Sequence, residues 1–160
     1  MESTLNYIDA LPNDADLLSA VAYDSKKTWG YTDELMAVWK SDLEVTPTYI
    51  LHNKVVKVFD HNQLIGFYAI KTIADASAEI DYLWLIPTQF RRNYGRKIFQ
   101  HLLRHLSNNN YQKATLVAEP HAHVFYEKMG GTVTGQFQSK ISGRFLAIYE
   151  YQIAKRHEVK

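Results

Sequence analysis

"LIPTQFRRNYGRKIFQHLL", residues 85–103, decides how this chain is read. Leu85, Ile86 and Pro87 close an apolar run of strand character. Ile98, Phe99, Leu102, Leu103 and the later Leu106 then recur at helical spacing, which predicts a helix over 93–107 with that face buried. At the junction Arg91, Arg92, Arg96 and Lys97 surround Gly95. A helix start carries unpaired N–H groups and about half a positive charge, so it attracts phosphate. Gly95 lets main chain approach a ligand closely, and Asn93 belongs to the few residue types that accept the left-handed region. The cations add charge-assisted contacts. A solvated basic helix start is the alternative, and these residues alone leave both open.

The positive charge is local. Over 160 residues Lys plus Arg is 18 and Asp plus Glu is 17, so no general attraction to nucleic acid or membrane is expected. A Walker loop is excluded because no Gly-Lys-Ser/Thr follows, and a dinucleotide fingerprint because spaced glycines are missing. The chain has no cysteine, which removes disulfides, thiol nucleophiles and thiolate metal sites together. "MESTLNYIDA" carries neither a basic segment nor an apolar core, so a cytoplasmic protein is expected.

Outward from the junction the elements follow from pattern. "TLNYIDAL" is a first strand, followed by a helix with Asn13 as N-cap and Leu17, Leu18 and Val21 on one stripe. A second helix is expected over 33–45 with Met36, Trp39 and Leu43 inward, then a short turn with a Thr cap and Pro47 at its first position. "KVVKVFD" and "QLIGFYAIKTI" flank "HN" as a hairpin, and "AEIDYLWLI" is the next strand. After the 93–107 helix come the strand "KATLVA", the short helix "HAHVFYEKM" ending at Gly130–Gly131, and the strands "TVTGQFQ" and "RFLAIYEYQI". The order β-α-α-β-β-β-α-β-α-β-β predicts one mixed α+β domain over residues 1–160.

"LWLIP" followed by "FRRNYGRKIFQHLL" resembles the acetyl-CoA-binding segment of the GNAT superfamily of N-acetyltransferases, Q/R-x-x-G-x-G/A at a strand-to-helix turn. Gly95 matches the second glycine; Asn93 stands at the first, and Phe90 replaces the opening Gln or Arg. "HVFYEKMGGTVTG" is similar to the family's later "FY-x-x-x-G" helix. "SKKTWGYTDELM" and "ISGRFLAIYEY" resemble segments of small bacterial members. The resemblance spans nearly the whole chain. It implies a mostly antiparallel, twisted central sheet flanked by helices, and acetyl transfer from acetyl-CoA to an amine, with no metal.

The resemblance also implies site residues. The diphosphate would lie on Arg91, Arg92, Asn93, Tyr94, Gly95 and Arg96, and main-chain groups of Leu83 and Leu85 would hold the pantetheine arm. A lysine-like amine has a pKa near 10.4, so freeing it at pH 7 costs roughly 4–5 kcal/mol, and a carboxylate can take the proton. Glu79 is the first candidate for that base and Asp81 the second, two residues apart on one strand face; the alternative is that both only solvate the strand, or that one pairs with a cation. Tyr126 stands where the family carries its general acid, and a phenol can protonate the leaving thiolate; the alternative is a ring packed beside Phe125.

Trp29, Tyr31 and Trp84 are candidates for the acceptor pocket, where aromatic faces attract a cationic amine, with core packing as the alternative. Arg144 is a weaker candidate. His101 and His105 share helical spacing, but "HLLRH" lacks a catalytic Glu, and His121 and His123 diverge, so no metal site is expected. A small amine is the expected acceptor and family habit allows a homodimer. The competing functions are a non-catalytic acyl-CoA sensor and a peptide or protein N-acetyltransferase.

Overall fold

The computed structural model describes residues 5–87, 93–139 and 143–153. The expectations placed on Arg91, Arg92 and Phe90 lie outside the described residues. Along the chain run β1 (Leu5–Asp9), α1 (Ala15–Lys27), α2 (Asp33–Trp39), α3 (Pro47–His52), β2 (Lys54–Asp60), β3 (Gln63–Ala74) and β4 (Ser77–Leu85). Then follow α4 (Tyr94–Asn108), β5 (Lys113–Val117), α5 (His123–Lys128), β6 (Thr132–Gln138) and β7 (Phe145–Gln152). The strands hydrogen-bond in the order β1-β2-β3-β4-β5-β7-β6. β4 and β5 are parallel, whereas β1–β2, β2–β3, β5–β7 and β6–β7 are antiparallel. The expected mixed α+β class with a mostly antiparallel sheet is therefore found.

Two compact units are distinguished, Met1–Ile70 with Tyr82–Gly95 and Lys71–Asp81 with Arg96–Lys160. In the first, Leu18, Ala22, Met36, Trp39, Val45, Val55, Phe67 and Ala69 make one buried cluster. Trp39 and Leu43 are buried as expected, but α2 ends at Trp39, and Leu43 N–H closes the next turn on the Trp39 carbonyl at 3.1 Å. α3 starts as its sequence says: the Thr46 hydroxyl accepts from Tyr49 N–H at 3.0 Å, and Pro47 needs no such partner.

Two expectations fail in α1. Asn13 is not its cap. Residues Pro12–Asp14 form a 3-10 turn, and the Asp14 carboxylate accepts from Leu11 N–H at 2.8 Å. Leu17 is 49% exposed, because the buried stripe runs Ala15, Leu18, Val21, Ala22, Ser25 and Leu17 sits one residue off it.

β3 carries a device that sets the end of β4. A Cβ on Gly66 would lie 2.4 Å from the Trp84 carbonyl oxygen and 3.2 Å from Leu85 Cα, so only glycine admits this approach. The β2–β3 register also shifts between Val58 and Phe59. In the second unit Ile98, Phe99, Leu102 and Leu106 of α4 are buried, as are Ala114 and Leu116 of β5 and Tyr149 and Tyr151 of β7. Leu103 is only half-buried, at the margin of the face the spacing assigned it. Asn110, with φ 66°, breaks the chain direction after α4.

Candidate active site

Alternation along β4 puts the side chains of Glu79 and Asp81 on one face. The structure gives them different surroundings. Asp81 Oδ2 lies 3.4 Å from Lys71 Nζ, so its charge is engaged. The Glu79 carboxylate forms no hydrogen bond or close ion pair with any described residue. Burial, with the Asp81 charge adding to it and Lys71 opposing, holds its carboxyl above the ordinary value. The parallel register with β5 runs only from Ser77↔Lys113 to Glu79↔Thr115, while β4 continues to Leu85. Glu79 therefore stands on the last rung, and the main chain of Leu83 and Leu85 lies beyond it.

Tyr126 lies on α5, half-buried among the rings of Phe125, Tyr149 and Phe99 at 5.2, 5.9 and 6.1 Å between centroids. Desolvation, with the Glu119 charge contributing, lifts its phenol well above the usual tyrosine value. Its main chain is fixed from afar: the Tyr126 carbonyl accepts from Tyr151 O–H at 2.7 Å and from Gly131 N–H at 3.1 Å. Tyr149 O–H donates to Glu127 Oε1 at 3.1 Å. Two phenols of β7 thus clip α5 in place.

At the start of α4, Asn93 takes the left-handed conformation expected of it, φ 59°. Tyr94, the first helical residue, is buried, and its O–H donates to the Asp60 carboxylate. Gly95 is the second helical residue, so it offers a bare Cα rather than an unusual φ. Arg96 is exposed and Lys97 half-buried. The first N–H groups of such a helix have no partner within it.

The acceptor candidates are less uniform. Trp29 is 37% exposed. Tyr31 meets the Trp39 ring edge-on at 4.8 Å, and Lys26 Nζ stands 4.2 Å from the centre of Trp39 and 5.5 Å from that of Tyr31. The chain's own ammonium thus uses part of the aromatic surface that the sequence offered to a substrate. Trp84 packs against the helical core of its unit, with its indole N–H buried and without an acceptor among the described residues. Arg144 is half-buried, and its carbonyl accepts from Ser139 N–H at 2.7 Å. Among the described residues no three His, Asp or Glu side chains gather as metal ligands would, and no helix is long and apolar enough to cross a membrane.

Sequence reading missed Asp60, Tyr149 and Tyr151, whose contacts span 34, 22 and 25 residues. For Tyr149 and Tyr151 the one available signal was two aromatics on the same strand face in "AIYEY". For Asp60 there was none.

The family model described as "Acetyltransferase (GNAT) family" matches residues 19–131. No curated protein matches the chain. Among solved structures, the PaiA N-acetyltransferase of Thermoplasma acidophilum in complex with coenzyme A is 20% identical with a TM-score of 0.74, covering 93% of this chain and 99% of its own. The ribosomal-protein-S18-alanine N-acetyltransferase of Escherichia coli is 13% identical with a TM-score of 0.69, covering 97% of both chains. An aminoglycoside 6'-N-acetyltransferase complexed with coenzyme A is 15% identical with a TM-score of 0.70, covering 97% of this chain and 99% of its own. These likenesses show a common fold; the match over residues 19–131 shows more, namely that the chain belongs to the acetyltransferase (GNAT) family.

Proposed function

We propose that this acyltransferase moves an acetyl group directly from acetyl-CoA to the amine of a small molecule. The observation that carries the reading is the placement of Tyr126, on the short helix where the family places its acid, with a main chain held by two donors. Two solved structures of the same fold were determined with coenzyme A, which supports that co-substrate. The residues present fit it. Asn93 turns the chain into a helix start at Tyr94–Gly95, Arg96 is exposed beside it, and the β5 register stops short of Leu83 and Leu85.

In this reading the N–H groups after Asn93, with Arg91, Arg92 and Arg96, bind the diphosphate. The main chain of Leu83 and Leu85 holds the pantetheine arm and the thioester oxygen. Glu79 accepts the proton of the acceptor ammonium, and its raised pKa brings it nearer the working pH than an ordinary carboxylate. Asp81, paired with Lys71, keeps Glu79 raised rather than acting as the base. The free amine forms a bond to the acetyl carbon, the carbon–sulfur bond breaks as Tyr126 gives its proton to the thiolate, and the second proton lost by the nitrogen restores the phenol. With no cysteine in the chain, no cysteinyl acyl-enzyme is formed. Trp84, with its buried N–H, and Trp29 and Tyr31 bound the acceptor.

Thiol release from acetyl-CoA, measured across a panel of small amines and N-terminal peptides, tests the proposal. Small amines are expected to raise the rate, and Tyr126→Phe to cut kcat about 100-fold or more. Preference for peptides would move the acceptor to a protein N-terminus. Full activity in Tyr126→Phe would remove the phenol from the mechanism. Coenzyme A binding without transfer to any acceptor would make the protein a sensor.

A further inference from the structure

We propose that Asp60 is a positioning residue for the first turn of α4, holding Tyr94 so that the main-chain donors after Asn93 meet the diphosphate of the acyl donor. The inference rests on the cofactor reading of that turn. Tyr94 lies between the left-handed Asn93 and Gly95, and its ring is buried. Its O–H donates to Asp60 Oδ2, while Asp60 Oδ1 lies 2.9 Å from His61 Nδ1. The main chain of Asp60 is itself fixed. It pairs with Leu5 of β1 and with Gln63 of β3, across a two-residue turn in which His61 has φ 56°. A carboxylate set by two strands therefore grips the first side chain of the helix.

The consequence is geometric. Donors at a helix start act as a set, so a small rotation of the first turn misdirects all of them at once. A buried tyrosine has two side-chain torsions, and fixing its hydroxyl fixes the backbone that carries it. Removing the acceptor deletes that hydrogen bond and releases its hold on the ring. Asp60 touches neither the reacting atoms nor the acceptor in this account; it acts through Tyr94.

The experiment compares wild type, Asp60→Ala, Asp60→Asn and Tyr94→Phe, with acetyl-CoA and with acetyl-pantetheine, which lacks the diphosphate. Coenzyme A binding is followed by calorimetry. Asp60→Ala and Tyr94→Phe are expected to raise the KM for acetyl-CoA and the Kd for coenzyme A about five- to tenfold. Asp60→Asn, whose amide oxygen still accepts the Tyr94 hydroxyl, stays within about twofold of wild type. With acetyl-pantetheine, kcat/KM of Asp60→Ala changes by less than about twofold. Equal losses with both donors would overturn the proposal by making Asp60 merely structural, as would an unchanged KM in Asp60→Ala. Wild type that binds no coenzyme A would overturn the cofactor reading and this inference together, whereas normal binding by wild type and Asp60→Ala alike would overturn the inference alone.

Discussion

α4 and α5 each carry a group used in the proposed reaction, and they are held in opposite ways. α4 runs for 15 residues and buries Ile98, Phe99, Leu102 and Leu106. α5 has 6 residues and buries none of them fully. An isolated helix shorter than about 12–15 residues is marginal in water, so α5 owes its order to partners. Those partners are Tyr151 on the Tyr126 carbonyl and Tyr149 on Glu127. α4 is held by its own buried face, and the proposal uses its first main-chain groups; α5 is held by side chains remote in sequence, and the proposal uses the phenol they fix.

Glu79 belongs to neither helix and sets the scale against which both are judged. Glu79→Gln is expected to lower kcat/KM about 100-fold or more and to erase the acid limb of the pH profile. The sign follows from the base being active as the carboxylate: activity rises with pH through the Glu79 pKa. Burial and Asp81 place that limb above the ordinary carboxylate range, so Asp81→Asn moves it to lower pH while sparing most of the rate. A limb that survives Glu79→Gln would assign the base elsewhere.

Next in size is the start of α4. Asn93→Val puts a β-branched residue at φ 59°, a strain of about 1–2 kcal/mol, and is expected to raise the KM for acetyl-CoA about tenfold with kcat kept. Asn93→Gly relieves any strain and should bind at least as well as wild type. A loss of kcat rather than affinity in Asn93→Val would erase the distinction between the two helices.

The smallest effect tests the clip. Tyr151→Phe removes one hydrogen bond to the Tyr126 carbonyl, and the Gly131 N–H remains. Steady-state kinetics should show kcat lower by about three- to tenfold with the KM for acetyl-CoA unchanged, one hydrogen bond being worth about 1 kcal/mol. An unchanged kcat would mean that α5 is held without its clip.

The same contrast explains how much was legible beforehand. α4 was readable to within a residue because its apolar period, the Asn93 turn and the Asn110 stop are all local signals. The Thr46–Pro47 start of α3 was readable for the same reason. Local reading erred where two polar residues competed: Asn13 looked like a cap, but Pro12 and Asp14 built a 3-10 turn ahead of it. It erred on Leu17, since one position of helical phase separates an exposed leucine from a buried one. It named Glu79 and Asp81 together, and the Lys71 contact of Asp81, which joins residues ten apart on two strands, left no local sign. Tyr31 looked available to a substrate until Lys26 was found over its ring. Contacts across 25 or 34 residues, such as Tyr151 with Tyr126 or Tyr94 with Asp60, leave no periodic trace at all.

The account stands or falls on the helix start at Asn93–Gly95 as the seat of a diphosphate. Calorimetric titration of the unmodified protein with coenzyme A, set beside pantetheine, measures this most directly. The expected result is a coenzyme A Kd of about 1–100 μM with pantetheine at least about tenfold weaker. No heat with coenzyme A, or equal affinity for the two, would contradict it.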